Sequence, residues 1–172
     1  MSSRTPVLLL CRASGQYVPA TLIDGVSKAE VEAAEKMWRP FIQEAIKLME
    51  AENRPRELRP QHAHWDWRKK HQLTEKLLVY QTLGIECDGE MQGLILLKTA
   101  GTMSRVASQK SNGLVYVYYI ETAPWNSPII VPEPRYGQVG TVLLAAAVDI
   151  SVDLGFKGRV GLHALPQAES WY

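Results

Sequence analysis

Two groups of residues in this chain have the types and spacing that chemistry needs. The first is a turn, Arg135-Tyr136-Gly137-Gln138-Val139-Gly140-Thr141, which follows a β-rich run at 113–122 and opens an apolar helical run. A strand, a glycine turn and a helix start together present unpaired backbone N–H groups and the positive end of a helix dipole, which can hold a phosphate. The second is Glu121, a carboxylate at the end of that largely apolar strand. Burying a charge there is costly unless it is used or paired, so Glu121 reads either as a general base or as a structural ion-pair or hydrogen-bond acceptor.

A third cluster, His62-Ala63-His64-Trp65-Asp66-Trp67, is dense in polar and aromatic side chains. Two histidines and an aspartate at alternate positions raise the question of a metal, but no further ligands stand at suitable local spacing, so no metal site is expected. The tryptophans then cover the edge of the core, or the aromatics line one wall of a cleft. His163, at the end of a predicted last strand, and Asn126, just past Pro124, could each touch a substrate or simply hold a turn. Neither is counted as catalytic.

The elements that must position these residues follow from pattern. Residues 6–12 (PVLLLCR) read as a first buried strand, too short for a signal sequence and stopped by Arg12. Ser27 with Glu30 forms a capping box ahead of an amphipathic run whose apolar positions recur at helical spacing to Met49, with Pro40 expected to kink or divide it. Residues 53–60 read as a linker. Residues 77–86 and 90–98 are strand-like runs around Asp88-Gly89, a strong hairpin signal. Residues 99–112 read as a loop. In the run 113–122, alternation places Leu114, Tyr116, Tyr118, Ile120 and Thr122 on one face and Val115, Val117, Tyr119 and Glu121 on the other, a strand for the middle of a helix-flanked sheet. Residues 141–154 form an apolar helix ended by Gly155, and 158–165 a further strand.

Composition narrows the class without choosing a function. With 172 residues, 46% hydrophobic and 22% charged, the chain is one ordinary globular domain. Its net charge of +1 provides no overall footprint for nucleic acid or membrane, although a local patch can hide inside a neutral total. Cys11 and Cys87 stand far apart, outside any disulfide or metal spacing, which points to a reducing, cytoplasmic setting.

The order of elements, with the turn at 135–141, the helix after it and the Ala168 to Tyr172 spacing that follows, resembles the acyl-CoA-binding core of the GCN5-related N-acetyltransferases (the GNAT superfamily) over about residues 75–172. The family turn is Arg/Gln-x-x-Gly-x-Gly/Ala. Counted from Arg135, Gln138 falls at the first glycine and Gly140 at the second, with Gly137 a candidate for the tight turn one position early. The resemblance implies an α/β fold, a mixed and mostly antiparallel sheet flanked by helices, with acetyl-CoA as co-substrate. It places pantetheine contacts at Ile120, Thr122 and Ala123, pyrophosphate contacts at Arg135, Gly137, Gln138, Val139, Gly140 and Thr141, an amine-activating base at Glu121, and a thiolate proton donor at Tyr172. The acceptor is an amine that the sequence does not identify. A dinucleotide-binding reading of the glycines is disfavoured, because they follow a late strand and no acidic residue ends a strand about twenty residues on.

The sequence stops at Tyr172, where the family sheet continues, so the resemblance implies that the last strands are missing. An open edge of this kind is expected to pair with a second copy or another partner. It also admits an alternative function, a catalytically weak CoA-binding or protein-interaction module that has lost its acceptor half.

Overall fold

A computed structural model describes residues 2–166, which form a seven-stranded sheet between two helical layers. Strands β1 (Ser3–Cys11) and β2 (Tyr17–Asp24) make a hairpin. Helices α1 (Lys28–Ala51) and α2 (Trp67–Thr74) come next. A second hairpin, β3 (Tyr80–Cys87) and β4 (Glu90–Lys98), then leads through a loop to β5 (Val115–Thr122). A two-residue β6 (Tyr136–Gly137), helix α3 (Val139–Asp153) and β7 (Val160–Leu162) complete the described fold. The sheet order is β6-β1-β2-β3-β4-β5-β7, antiparallel throughout except for the parallel pair β5–β7. No described helix is long and apolar enough to cross a membrane.

Local chemistry explains most of these elements. Asp88 and Gly89 both have positive φ, 53° and 75°, as the tight turn between β3 and β4 requires. The Ser27 hydroxyl accepts from the Glu30 N–H and the Glu30 carboxylate accepts from the Ser27 N–H, the expected capping box. Helix α3 ends at Gly155, φ 77°, with Phe156 N–H donating to Ser151 O and Gly155 N–H to Val152 O, a Schellman cap.

Three expectations change, and one is narrowed. The first strand is followed by a second strand rather than by the helices. Strand β2 carries Pro19 and β1 carries Pro6, residues that argue against strands, but β3 pairs only with Thr21 to Asp24 and β6 only with Leu10 and Cys11. Both prolines therefore sit where the strand has a bare side and no ladder bond is lost. Helix α2, too short and polar to stand out, starts at Asp66, whose carboxylate accepts from the Lys69 N–H. Helix α1 runs through the exposed Pro40 undivided, the single-helix outcome among those expected. The alternation of β5 breaks at Tyr118, where the register against β4 jumps from Leu96↔Tyr119 to Leu97↔Val117. This β-bulge sends Val115, Val117 and Ile120 to the α3 face and Tyr119 to the α1 face.

The α3 face packs Leu143, Ala146 and Ala147 on Leu83, Ile85, Ile95, Leu97, Val115 and Val117. The other face packs Val31, Trp38 and Ile42 of α1 and Trp67 of α2 on Ile23, Leu94 and Leu96. Gly93 of β4 lets the start of α3 approach the sheet closely: a Cβ there would lie 2.6 Å from Val139 Cγ1, 3.0 Å from Leu143 Cδ1 and 3.3 Å from the Glu121 carbonyl oxygen. Gly93→Ala is therefore expected to destabilise the fold by about 1–3 kcal/mol through overpacking, measured by urea unfolding. An unchanged midpoint would show that α3 is free to shift.

Candidate functional site

Residues 115–117 of β5 pair with β7, whereas 118–122 have β4 on one side and no strand on the other among the described residues. A cleft of about 1270 Å³ opens beside this stretch. Its walls bring together residues 117–122, the turn 133–141, the histidine-tryptophan cluster and the end of β1. Ile120, Glu121, Thr122, Arg135, Gly137, Gln138, Val139, Gly140 and Thr141, all singled out in the sequence, line it. Ala123 does not; it is fully buried, with its N–H donated to Gln92 O. Tyr172 lies outside the described residues.

The turn has a defined geometry. Gln138 adopts the left-handed conformation, φ 67°, immediately before α3, a conformation that glycine takes most readily. Gly137 is not the tight-turn residue. It is extended and pairs with Leu10, and the Arg12 guanidinium lies close over it, 2.8 Å from where a Cβ would stand. The first intrahelical bond runs from Val142 N–H to Gln138 O, leaving the N–H groups of Val139, Gly140 and Thr141 as helix-start donors. Arg135 also lines the cleft, but its guanidinium pairs with Glu90 at 2.6 Å and lies over Trp125.

A buried polar network fixes the turn. Gln92, fully buried, accepts from Trp125 Nε1 (2.9 Å) and Asn126 Nδ2 (3.0 Å), and Asn126 Oδ1 accepts from the Tyr136 N–H (2.9 Å). Asn126 is thus a structural anchor that holds the proline-rich segment 127–134 and β6 to the end of β5. The Tyr136 hydroxyl adds a bond to Asp88 at 2.6 Å. His163 bonds the Tyr116 hydroxyl at the cleft margin.

Glu121 lines the same cleft as the turn. Its side chain is 3% exposed; Oε2 accepts from Trp67 Nε1 at 2.6 Å and Oε1 lies 3.5 Å from His62 Nε2. Burial drives its pKa up to about 8, against the opposing pull of the Trp67 hydrogen bond. Burial, with the Arg39 charge nearby, lowers the His62 pKa to about 4. Lys70, over the Tyr119 ring at 3.1 Å, has its pKa lowered to about 8 by desolvation. The histidine-tryptophan cluster therefore forms a wall of the cleft, with His62, His64 and Trp65 lining it. No group of three His, Cys, Asp or Glu side chains among the described residues could hold a metal ion.

Sequence reading missed what holds this wall. Glu35, 2% exposed, pairs with Arg39 at 3.0 Å and accepts from the Trp67 N–H at 2.6 Å, while Arg39 donates to the carbonyls of Ala63 and Trp65. A signal existed, since Glu35 falls inside the buried stripe Val31, Ala34, Trp38, Ile42. Arg12 had no local signal, because only the β1–β6 pairing brings it to the turn.

The fold has counterparts among solved structures. A predicted acetyltransferase from Clostridium acetobutylicum, crystallised with acetyl-CoA, matches 89% of this chain and 86% of its own at TM-score 0.51 and 8% identity. The chain has the GNAT fold. A GCN5-related N-acetyltransferase from Ralstonia eutropha JMP134 matches 89% of this GNAT-fold chain and 88% of its own at TM-score 0.50 and 15% identity. A ribosomal-protein-alanine N-acetyltransferase from Brucella melitensis biovar Abortus 2308 matches 89% and 87% at TM-score 0.50 and 12% identity. No family sequence model and no curated protein matches the chain.

The opposed shifts of Glu121 and His62 set a pH signature. With its folded pKa raised, Glu121 makes the native state hold an extra proton between its ordinary value near 4.5 and about 8, so stability falls as pH rises through that window. With its folded pKa lowered, His62 leaves the native state one proton short between about 4 and 6.5, so stability rises there. The two offset one another up to pH 6.5, after which Glu121 dominates until Lys70, whose folded pKa is lowered to about 8, begins to add stability as pH rises further. Urea unfolding is expected to show a loss of about 2 kcal/mol between pH 6.5 and 8 that Glu121→Gln removes. An identical slope in the variant would mean that the carboxyl titrates normally.

Proposed function

We propose that this protein is an acetyl-CoA-dependent N-acetyltransferase acting on a primary amine. The observation that carries the reading is the placement of a buried, high-pKa carboxyl, Glu121, in one cleft with a helix-start turn with free N–H groups and an adjacent guanidinium. The residues present fit the co-substrate. The donors at Val139, Gly140 and Thr141 suit its pyrophosphate, Arg12 adds a positive charge beside them, and the unpaired edge of residues 118–122 suits the amide-bearing pantetheine arm.

Acetyl-CoA supplies a thioester carbonyl open to attack by an amine. In this scheme, deprotonated Glu121 takes the proton from the amine as it attacks, while Trp67 keeps the carboxylate oriented. A backbone N–H on the free edge of β5 stabilises charge on the carbonyl oxygen. Tyr172, by the family resemblance, protonates the departing thiolate. A base with a pKa of about 8 titrates close to working pH, where general-base catalysis is most effective.

Saturating CoA is expected to raise the melting temperature, in line with about 2.7 kcal/mol at a hundredfold excess over the dissociation constant. Gly140→Asp should abolish the shift by placing a carboxylate where phosphate would sit. An unmoved melting temperature, with a control protein responding, would remove the turn's assignment.

Glu121→Gln should keep CoA binding and lower turnover by about 10²-fold to 10⁴-fold. The wild-type rate should climb with pH and level off above about 8. A rate that is flat in pH and unaffected by the substitution would leave Glu121 structural, and CoA binding without turnover across mixed amines would favour a binding module.

A further inference from the structure

A second groove, of about 1110 Å³, lies between the loop 102–109 and β7. Four cations line it, Lys98, Arg105, Lys157 and Arg159, and no Asp or Glu does. None of the four has an ion-pair partner among the described residues. In a chain whose net charge is only +1, this is a concentration of uncompensated positive charge, and a groove with low-dielectric walls focuses such a field. We infer that this groove docks an acidic, extended peptide that carries the acceptor amine, an inference that rests on the acetyl-transfer reading for what is delivered.

Three observations favour a peptide over a nucleic acid. The rings that would have to stack bases are already engaged edge-on: Tyr116 with Tyr118 at 82° and Tyr118 with Tyr80 at 78°. Base stacking needs free ring faces. The loop wall presents Met103 and Val106, 59% and 60% exposed, which suit apolar side chains between the acidic ones. Among the described residues strand β7 is the last of the sheet, so its outer backbone groups can pair with an added extended segment. The groove also leads to the chemistry, because Tyr118, Tyr119, Leu162 and His163 line both it and the Glu121 cleft.

The test measures binding without cofactor, by fluorescence anisotropy of three labelled probes at low salt: an Asp/Glu-rich peptide containing leucine and valine, its Lys-substituted counterpart, and a single-stranded oligonucleotide of matched charge. The acidic peptide is expected to bind at least tenfold more tightly than either other probe, with affinity falling as salt rises. Arg105→Glu combined with Lys157→Glu, both at exposed positions, should weaken it at least tenfold while the CoA-induced melting shift stays intact. Equal binding of acidic and basic peptides, preference for the oligonucleotide, or indifference to the double substitution would each overturn the inference. Peptide binding in a protein that fails to bind CoA would uphold the groove and remove the transfer reading alone.

Discussion

The site depends on one buried ion pair. Glu35 and Arg39 stand a turn apart on α1 and together grip the segment between the helices: Arg39 holds the carbonyls of Ala63 and Trp65, and Glu35 holds the Trp67 N–H. A carboxylate buried to 2% exposure is tolerable because it accepts from both Nε and Nη2 of Arg39 and from the Trp67 N–H. From that clamp follow the position of the Trp67 indole on Glu121, the place of His62 beside it, and the start of α2 at Asp66. Without it the segment 62–67 is a polar-aromatic loop with no reason to face the sheet.

The opposite half of the cleft is held by neutral amides. Gln92 and Asn126 tie β4, the end of β5 and β6 together, and through Tyr136 they set where α3 begins. Gly93, next in sequence to Gln92, lets Val139 and Leu143 of α3 settle close against the sheet. Two neighbouring residues of β4 thus serve both halves, which gives the donor turn and the carboxyl a common rigid reference.

The bulge at Tyr118 joins these halves. Before it, β5 buries Val115 and Val117 under α3; after it, Tyr119 packs on the other face, beside Trp65 and Lys70. The same strand also loses its β7 neighbour beyond Val117. Face switching and edge opening at one place allow a strand to be core at one end and cleft wall at the other.

Where local chemistry dominates, the sequence was sufficient. The Asp88-Gly89 turn, the Ser27/Glu30 box, the apolar helix closed by Gly155 and the strand carrying Glu121 depend on φ, caps and periodicity within a few residues. The acidic residue in an apolar strand and the turn at Gln138 to Thr141 were legible for the same reason. Strand β2, the bulge, the Glu35–Arg39 clamp and Arg12 against Gly137 were decided only in three dimensions. Pro19 is compatible with a strand only when its bare side is known, and a bulge is visible only against its partner's register. The pKa values of Glu121 and His62 follow from burial between elements more than fifty residues apart, and desolvation is a property of the packed neighbourhood, which no stretch of sequence contains.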